Sequence, residues 1–143
     1  MKPYLLDVNV LLALAWPFHV HHPIAVGWLK RNLRAGFRTC PLTQMGFVRI
    51  SMNAGFTNPP ASPSEALALL DQFTALPHHG FWPDDIPLSH ALHRRMFFGH
   101  QQVTDSYLVA MAEAHDGVFA TLDRRTLALP RATPDIVELI QEA

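Results

Sequence analysis

Three aspartates stand where an α/β chain delivers its chemistry. Asp7 follows the apolar run Tyr4-Leu5-Leu6 and precedes Val8-Asn9-Val10-Leu11-Leu12. The pattern predicts a strand over about residues 3–7 and a helix from Asn9 to about Ala15, ended by Trp16-Pro17. A buried parallel strand carries whatever follows it to the carboxyl edge of a sheet, where open α/β proteins hold their ligands. Asp105 follows Val103-Thr104 and precedes Tyr107, Leu108, Met111 and Ala112 at helical spacing. Thr104 is the expected N-cap, which sets Asp105 in a first turn where the helix dipole favours negative charge. Val118-Phe119-Ala120-Thr121-Leu122-Asp123 repeats the opening pattern, with Arg124 and Arg125 directly behind it. Carboxylates gathered at one edge repel one another unless a cation neutralises them. Oxygen-only ligands suit Mg²⁺ or Mn²⁺ rather than Zn²⁺. Such ions activate water and stabilise charge on a phosphodiester. Any one of these aspartates alone reads more readily as a helix cap or a strand end. The three together point to a shared metal site.

The elements that must position them alternate. After the first helix, His19-Val20-His21-His22-Pro23 reads as a loop into a second helix, with Pro23 in its first turn and Gly36 at its close. Phe37-Arg38-Thr39-Cys40-Pro41 reads as a short strand, and Thr43 as the cap of a helix bearing Met45, Phe47, Val48 and Ile50. Residues 55–63 form a loop with three prolines. A helix from Ser62 or Pro63 carries Ala66, Leu67, Leu69, Leu70 and Phe73. Phe81-Trp82-Pro83 is a weak strand ending at Asp84 and Asp85, and residues 87–98 are expected to be helical. Gly117 stops the Thr104 helix. Ile136-Val137-Glu138-Leu139-Ile140 fits a last strand or a helix equally well. Strands alternating with helices imply a parallel sheet covered on both faces.

The chain has 143 residues, which suits a single domain over residues 1–143 with a sizeable core. Its charged content is low, 16% against 49% hydrophobic, which excludes a disordered chain. The formal net charge of -1 carries no global signature of nucleic-acid binding, so any such binding rests on local basic residues and metal ions. One cysteine, Cys40, excludes an internal disulfide. The first strand begins at about residue 3, with no secretory leader, and no apolar run reaches bilayer length. A cytoplasmic protein is expected.

Leu5-Leu6-Asp7-Val8-Asn9-Val10-Leu11-Leu12, Pro41-Leu42-Thr43-Gln44-Met45-Gly46-Phe47-Val48-Arg49, Val103-Thr104-Asp105 and Ala120-Thr121-Leu122-Asp123-Arg124 occur in this order along nearly the whole chain. The set resembles the motifs of PIN-domain ribonucleases of the VapC toxin type. That resemblance implies a three-layer α/β/α sandwich on a parallel sheet and a Mg²⁺- or Mn²⁺-dependent endoribonuclease acting on RNA. It also implies a cognate VapB-type antitoxin and a homodimer. Asp7, Asp105 and Asp123 fall on the family's acidic positions, and Asn9 and Thr121 on polar positions close to them. Arg124 adjoins the last motif as a candidate phosphate contact. Gln44 stands where the family pattern usually has an acid. An amide can ligate through oxygen but brings no charge, so metal affinity should be lower. Asp84 and Asp85 are the nearest substitutes by strand-end logic. Glu113 lies eight residues along the helix from Asp105, about 12 Å.

Two other readings remain in view. One is a catalytically weakened PIN-like domain that binds RNA or a protein partner. The other is a phosphotransfer domain with Asp7 as nucleophile, which needs a lysine at a further strand end. Lys2 and Lys30 are the only lysines, and neither is so placed. The nine histidines include His19, His21 and His22 in one loop, but no second cluster stands at zinc-ligand spacing. His21 or His22 is a candidate RNA contact. The others, His78, His79, His90, His93, His100 and His115, read as surface or half-buried residues. Arg49 and Arg125 read evenly as surface residues or phosphate contacts. Lys30, Arg31, Arg34 and Arg38 read as a solvated face. Trp28, Phe47 and Tyr107 read as core.

Overall fold

Leu5 and Leu6 are both fully buried, but they belong to different cores, because successive strand residues point to opposite faces. The computed structural model describes residues 1–92, 99–130 and 132–142. The strands are β1 (Tyr4–Leu6), β2 (Phe37–Thr39), β3 (His79–Phe81), β4 (Val118–Thr121) and β5 (Val137–Leu139). They form one parallel sheet in the order β3-β2-β1-β4-β5. The helices are α1 (Val8–Ala15), α2 (His22–Asn32), α3 (Pro41–Ser51), α4 (Pro63–Thr74), α5 (Leu88–Leu92) and α6 (Val103–Ala114). Short 3-10 turns cover Leu33–Ala35, His100–Gln102 and Arg124–Ala128. No helix among the described residues is long and apolar enough to cross a membrane.

The helices take the two faces unequally. Leu5 and Phe119 pack with Leu108, Val109 and Met111 of α6 on one side. Leu6 and Ala120 pack with Val10 and Leu11 of α1, Trp28 of α2, Phe47 of α3 and Leu70 of α4 on the other. The result is the three-layer α/β/α sandwich on a parallel sheet that the alternation implies. Seven consecutive α6 residues, Ser106 to Ala112, are buried. A helix so covered is held tightly, which fixes the direction in which its first turn points.

Several local expectations shift. Helix α1 begins at Val8, because the Asp7 carboxylate itself accepts from the Val8 amide and caps it. Thr43 does not cap α3. Cys40 is the N-cap, and Thr43 sits three residues inside, its hydroxyl accepting from the Cys40 amide at 3.0 Å. Thr104 does not cap α6 either, because the His100–Gln102 turn runs straight into a helix that starts at Val103. The weak strand lies two residues earlier than the Phe81-Trp82-Pro83 pattern suggests. The C-terminal segment is a strand, β5, paired with β4 from Phe119↔Val137 to Thr121↔Leu139. Part of the helix expected over residues 87–98 lies outside the described residues, as does His93.

Gly117 closes the turn that returns α6 to the sheet. Asp116 takes a left-handed φ of 53°, and the Gly117 amide donates to the Ala112 carbonyl at 2.7 Å. A Cβ on Gly117 would lie 2.8 Å from the Pro3 carbonyl oxygen and 2.5 Å from Trp82 Cη2. The Pro3 carbonyl also accepts the first β4 amide, Val118, at 2.9 Å, so it has little room to yield. Gly117→Ala should therefore destabilise the fold by about 1–3 kcal/mol. Urea denaturation at neutral pH measures it, and an unchanged midpoint would show that the turn relaxes freely.

Candidate active site

The parallel sheet brings the ends of β1 and β4 side by side, and a small network locks them. The Asp7 amide donates to the Ala120 carbonyl at 2.9 Å, which carries the pairing one residue past the strand. The buried Thr121 hydroxyl donates to Asp7 Oδ2 at 2.7 Å and accepts from the Asp123 amide at 3.0 Å. Asn9 Nδ2 lies 3.3 Å from Asp7 Oδ2, and Asn9 Oδ1 accepts from the Leu122 amide at 3.1 Å. One threonine and one asparagine thus set both the Asp7 rotamer and the course of the chain to Asp123. Asp105 approaches from the first turn of α6.

Burial drives the Asp7 carboxyl up to about 6, and the charges of Asp105 and Asp123 push the same way against the hydrogen bonds from Thr121 and Val8. Asp105 is raised as well, by burial and then by Asp123. Asp123 behaves oppositely. Arg125 grips both its oxygens, Nε to Oδ1 at 3.0 Å and Nη2 to Oδ2 at 2.9 Å, and holds its carboxyl below the usual range. The Arg125 charge also offsets the rise at Asp105.

Among the described residues, no three Asp, Glu, His or Cys side chains stand close enough to hold a metal as they are arranged. The donor set nevertheless fits a hard divalent cation. All three donors are carboxylates, Asp7 feels the charge of both others and Asp105 that of Asp123, and a guanidinium stands in for a cation against Asp123 and Asp105. Closing them on an ion needs Arg125 to swing away. Its side chain is 89% exposed, so the contact adds little to stability.

Other residues singled out in the sequence are placed differently. Gln44 donates from Nε2 to the buried Thr39 hydroxyl at 3.0 Å and faces an apolar groove of about 550 Å³ with Met45, Val48 and Met52. Its hydrogen bond runs to Thr39, not to an aspartate. Asp84 sits beside the Cys40 thiol, and Asp85 lies 3.4 Å from His115 Nε2, so neither substitute joins the three aspartates. His22 Nδ1 is 2.7 Å from the Ala13 carbonyl and His19 Nδ1 accepts from the His21 amide, which makes the trio a helix-entry loop. His21 and Arg124 line a second cavity of about 410 Å³ beside the strand ends. Arg49 is exposed in the last turn of α3. Trp28, Phe47 and Tyr107 are core, as expected.

Two features escaped sequence reasoning. Arg125 stood out in the sequence only as a surface residue or phosphate contact; its grip on Asp123, two residues away, is an i,i+2 pair after a strand and gives no periodic signal. A cavity of about 500 Å³ also opens beside Asp105, Asp123 and Arg125, with Gln102 and Thr126 in its lining.

The Asp7 carboxyl gives the metal-free fold a pH signature. The unfolded chain ionises near 3.8 and the folded protein at about 6, so between those values folding takes up a proton. Stability falls as pH rises through that window, by about 3 kcal/mol when complete. Asp7→Asn should remove that slope and stabilise the metal-free protein by about 1–3 kcal/mol above pH 7. Denaturation of both proteins in EDTA from pH 4 to 8 tests this. Parallel curves would mean that Asp7 is not held in this environment.

No protein-family model matches the chain. Curated relatives do. Ribonuclease VapC39 of Mycobacterium tuberculosis is 44% identical over 121 residues, covering 83% of this chain and 87% of the relative. Ribonuclease VapC44 of the same organism is 40% identical over 133 residues, covering 90% and 93%. Among solved structures, a chain in the crystal structure of VapBC2 from Rickettsia felis bound to a promoter DNA fragment superposes with a TM-score of 0.70. That match spans 96% of this chain and 98% of the other at 11% identity, a likeness of fold. Identity of 40% and more over most of both chains decides the assignment: this chain belongs to the VapC family of ribonucleases.

Proposed function

We propose that this protein is a Mg²⁺- or Mn²⁺-dependent endoribonuclease, residues 1–143 acting as one PIN-like domain and as the toxin of a toxin–antitoxin pair. The observation that carries the reading is the convergence of Asp7, Asp105 and Asp123 at one sheet edge, electrostatically coupled within a family of ribonucleases. Asp7, Asp105 and Asp123 would hold the ion. When bound, it supplies activation of a water and neutralises charge building on the phosphate.

The chain's own residues do the rest. Thr121 and Asn9 hold Asp7 in one rotamer, so the carboxylate is positioned before any ligand arrives. Asp7 must give up its proton to ligate, and a dication favours the ionised form. Arg125, displaced from Asp123, and Arg124 beside it are placed to take phosphate oxygens of an RNA strand crossing this edge. Gln44 adds no charge, so the site works with three carboxylates.

An unrestrained ribonuclease would damage its own cell, so a cognate VapB-type antitoxin is the expected partner, with the toxin a homodimer in the cytoplasm. The matched chain from a VapBC2 structure supports that pairing by analogy of fold. The Arg125–Asp123 contact is an internal example of how an inhibitor's arginine would silence the site.

Two measurements follow from this reading. Asp7→Asn, Asp105→Asn or Asp123→Asn should each lower Mg²⁺-dependent cleavage of total RNA by more than the ~10–100-fold typical of supporting residues. Full activity in all three, or indifference to EDTA, would refute the metal-site reading. A harmless protein whose aspartate variants behave identically would favour the weakened, RNA-binding domain. Arg125→Gln should tighten Mn²⁺ binding in calorimetric titration, because it removes a cation that competes for Asp123. Equal or weaker affinity would mean that Arg125 does not stand in the ion's way.

A further inference from the structure

The cavity beside the aspartates lies among the His100–Gln102 turn, the first turn of α6 and the Arg124–Ala128 turn. Among the described residues, two polar atoms of its lining residues have no partner. Thr126 is 2% exposed, and its Oγ1 makes no hydrogen bond. Gln102 Oε1 is buried and equally unpaired. Buried polar groups are nearly always hydrogen-bonded, so two orphans on one cavity call for a partner that enters it.

The surroundings restrict what that partner is. Asp105 and Asp123 repel an anion, so the occupant is not a phosphate. A hydroxyl and an amide each offer both donor and acceptor, which suits a neutral group carrying both along one edge. Ala128 and Leu129 supply apolar lining for a flat ring, and an exposed guanidinium, Arg125, is available to stack on it. RNA provides such a group next to every phosphate. We propose that this cavity is a nucleobase pocket. It receives the base of a nucleotide adjoining the cleaved phosphodiester and reads its edge through Thr126 Oγ1 and the Gln102 amide. The proposal rests on the ribonuclease reading and adds to it the residues that choose where the strand is cut.

Two readouts test it. First, a random-sequence single-stranded RNA pool is cleaved in Mg²⁺ and the products are sequenced. The parent should prefer one base at a position next to the cut. Thr126→Val, which keeps the volume, and Gln102→Ala should each flatten that preference by about tenfold or more, the size of one buried hydrogen bond to a base edge. Second, the four uncharged ribonucleosides are titrated into the EDTA-treated protein and followed by amide NMR. Shifts over residues 101–106 and 123–129 should favour one base in the parent, and the favour should vanish in Thr126→Val. The Tm of Thr126→Val should be unchanged or higher, because no protein hydrogen bond is lost. A clear fall in Tm would show that the hydroxyl is already satisfied within the fold and overturn the proposal. Cleavage with no flanking base preference, or a preference unchanged in both variants, overturns it while leaving the ribonuclease intact. A parent that cuts no RNA yet shows the base-selective shifts retains the pocket and defeats the ribonuclease reading instead.

Discussion

The Thr121 hydroxyl, donating to Asp7 and accepting from the Asp123 amide, joins the two central strand ends that the site depends on. Its position follows from the parallel register, which sets Leu6 beside Ala120, so that Asp7, just past β1, comes level with Thr121, the last residue of β4. A hydroxyl suits this point because it can donate to a carboxylate and accept from an amide at once. A valine would fill the same space and serve neither. Helix α1 then starts from Asp7, and Asn9 in its first turn reaches back to Leu122, so the helix, both strand ends and the following loop share one network.

That network holds carboxylates in surroundings that oppose their charge. Asp7 is 7% exposed, and its ionised form is disfavoured by burial and by two neighbouring acids. Packing holds it there: α6 is buried over seven consecutive residues, and the β1–β4 pairing is central in the sheet. Core packing on both faces thus keeps in place a polar edge that electrostatics alone would push apart. Such a conflict between local charge and global fold is expected at functional sites.

The fold was largely legible because its signals are periodic. The two aspartate-ended runs predicted β1 and β4, and the apolar spacing after each break predicted α2, α4 and α6. The errors fell where a side chain or a turn overrode the local pattern. Thr43 and Thr104 look like caps by residue type, but Cys40 and a preceding 3-10 turn move both helix starts upstream. The last segment was undecidable because Val137-Glu138-Leu139 alternates, yet five residues are too few to exclude a helix. Pairing with β4 and the Trp28 Nε1–Glu138 hydrogen bond decide it. That Asp7, Asp105 and Asp123 come within reach of one another's charge was legible by position. Arg125, Gln102 and Thr126 were not, because their roles come from a cavity formed by segments some twenty residues apart.

The balance of charge at this edge explains why a guanidinium rests on Asp123 and not on Asp7. Asp7 already spends its oxygens on Val8, Thr121 and Asn9, and it is too buried for a long side chain to reach without desolvation. Asp123 lies further out, its side chain 24% exposed, where Arg125, 89% exposed, reaches it as a bidentate pair without being buried itself. The outer carboxylate is therefore the exchangeable one, and the inner carboxylate is the fixed one. Gln44 bears on the same balance. A fourth carboxylate in the cluster would raise the repulsion on Asp7 and its demand for a cation. Gln44 binds Thr39 instead, so the edge carries three acids against one arginine, and a net negative charge is left for a cation to neutralise.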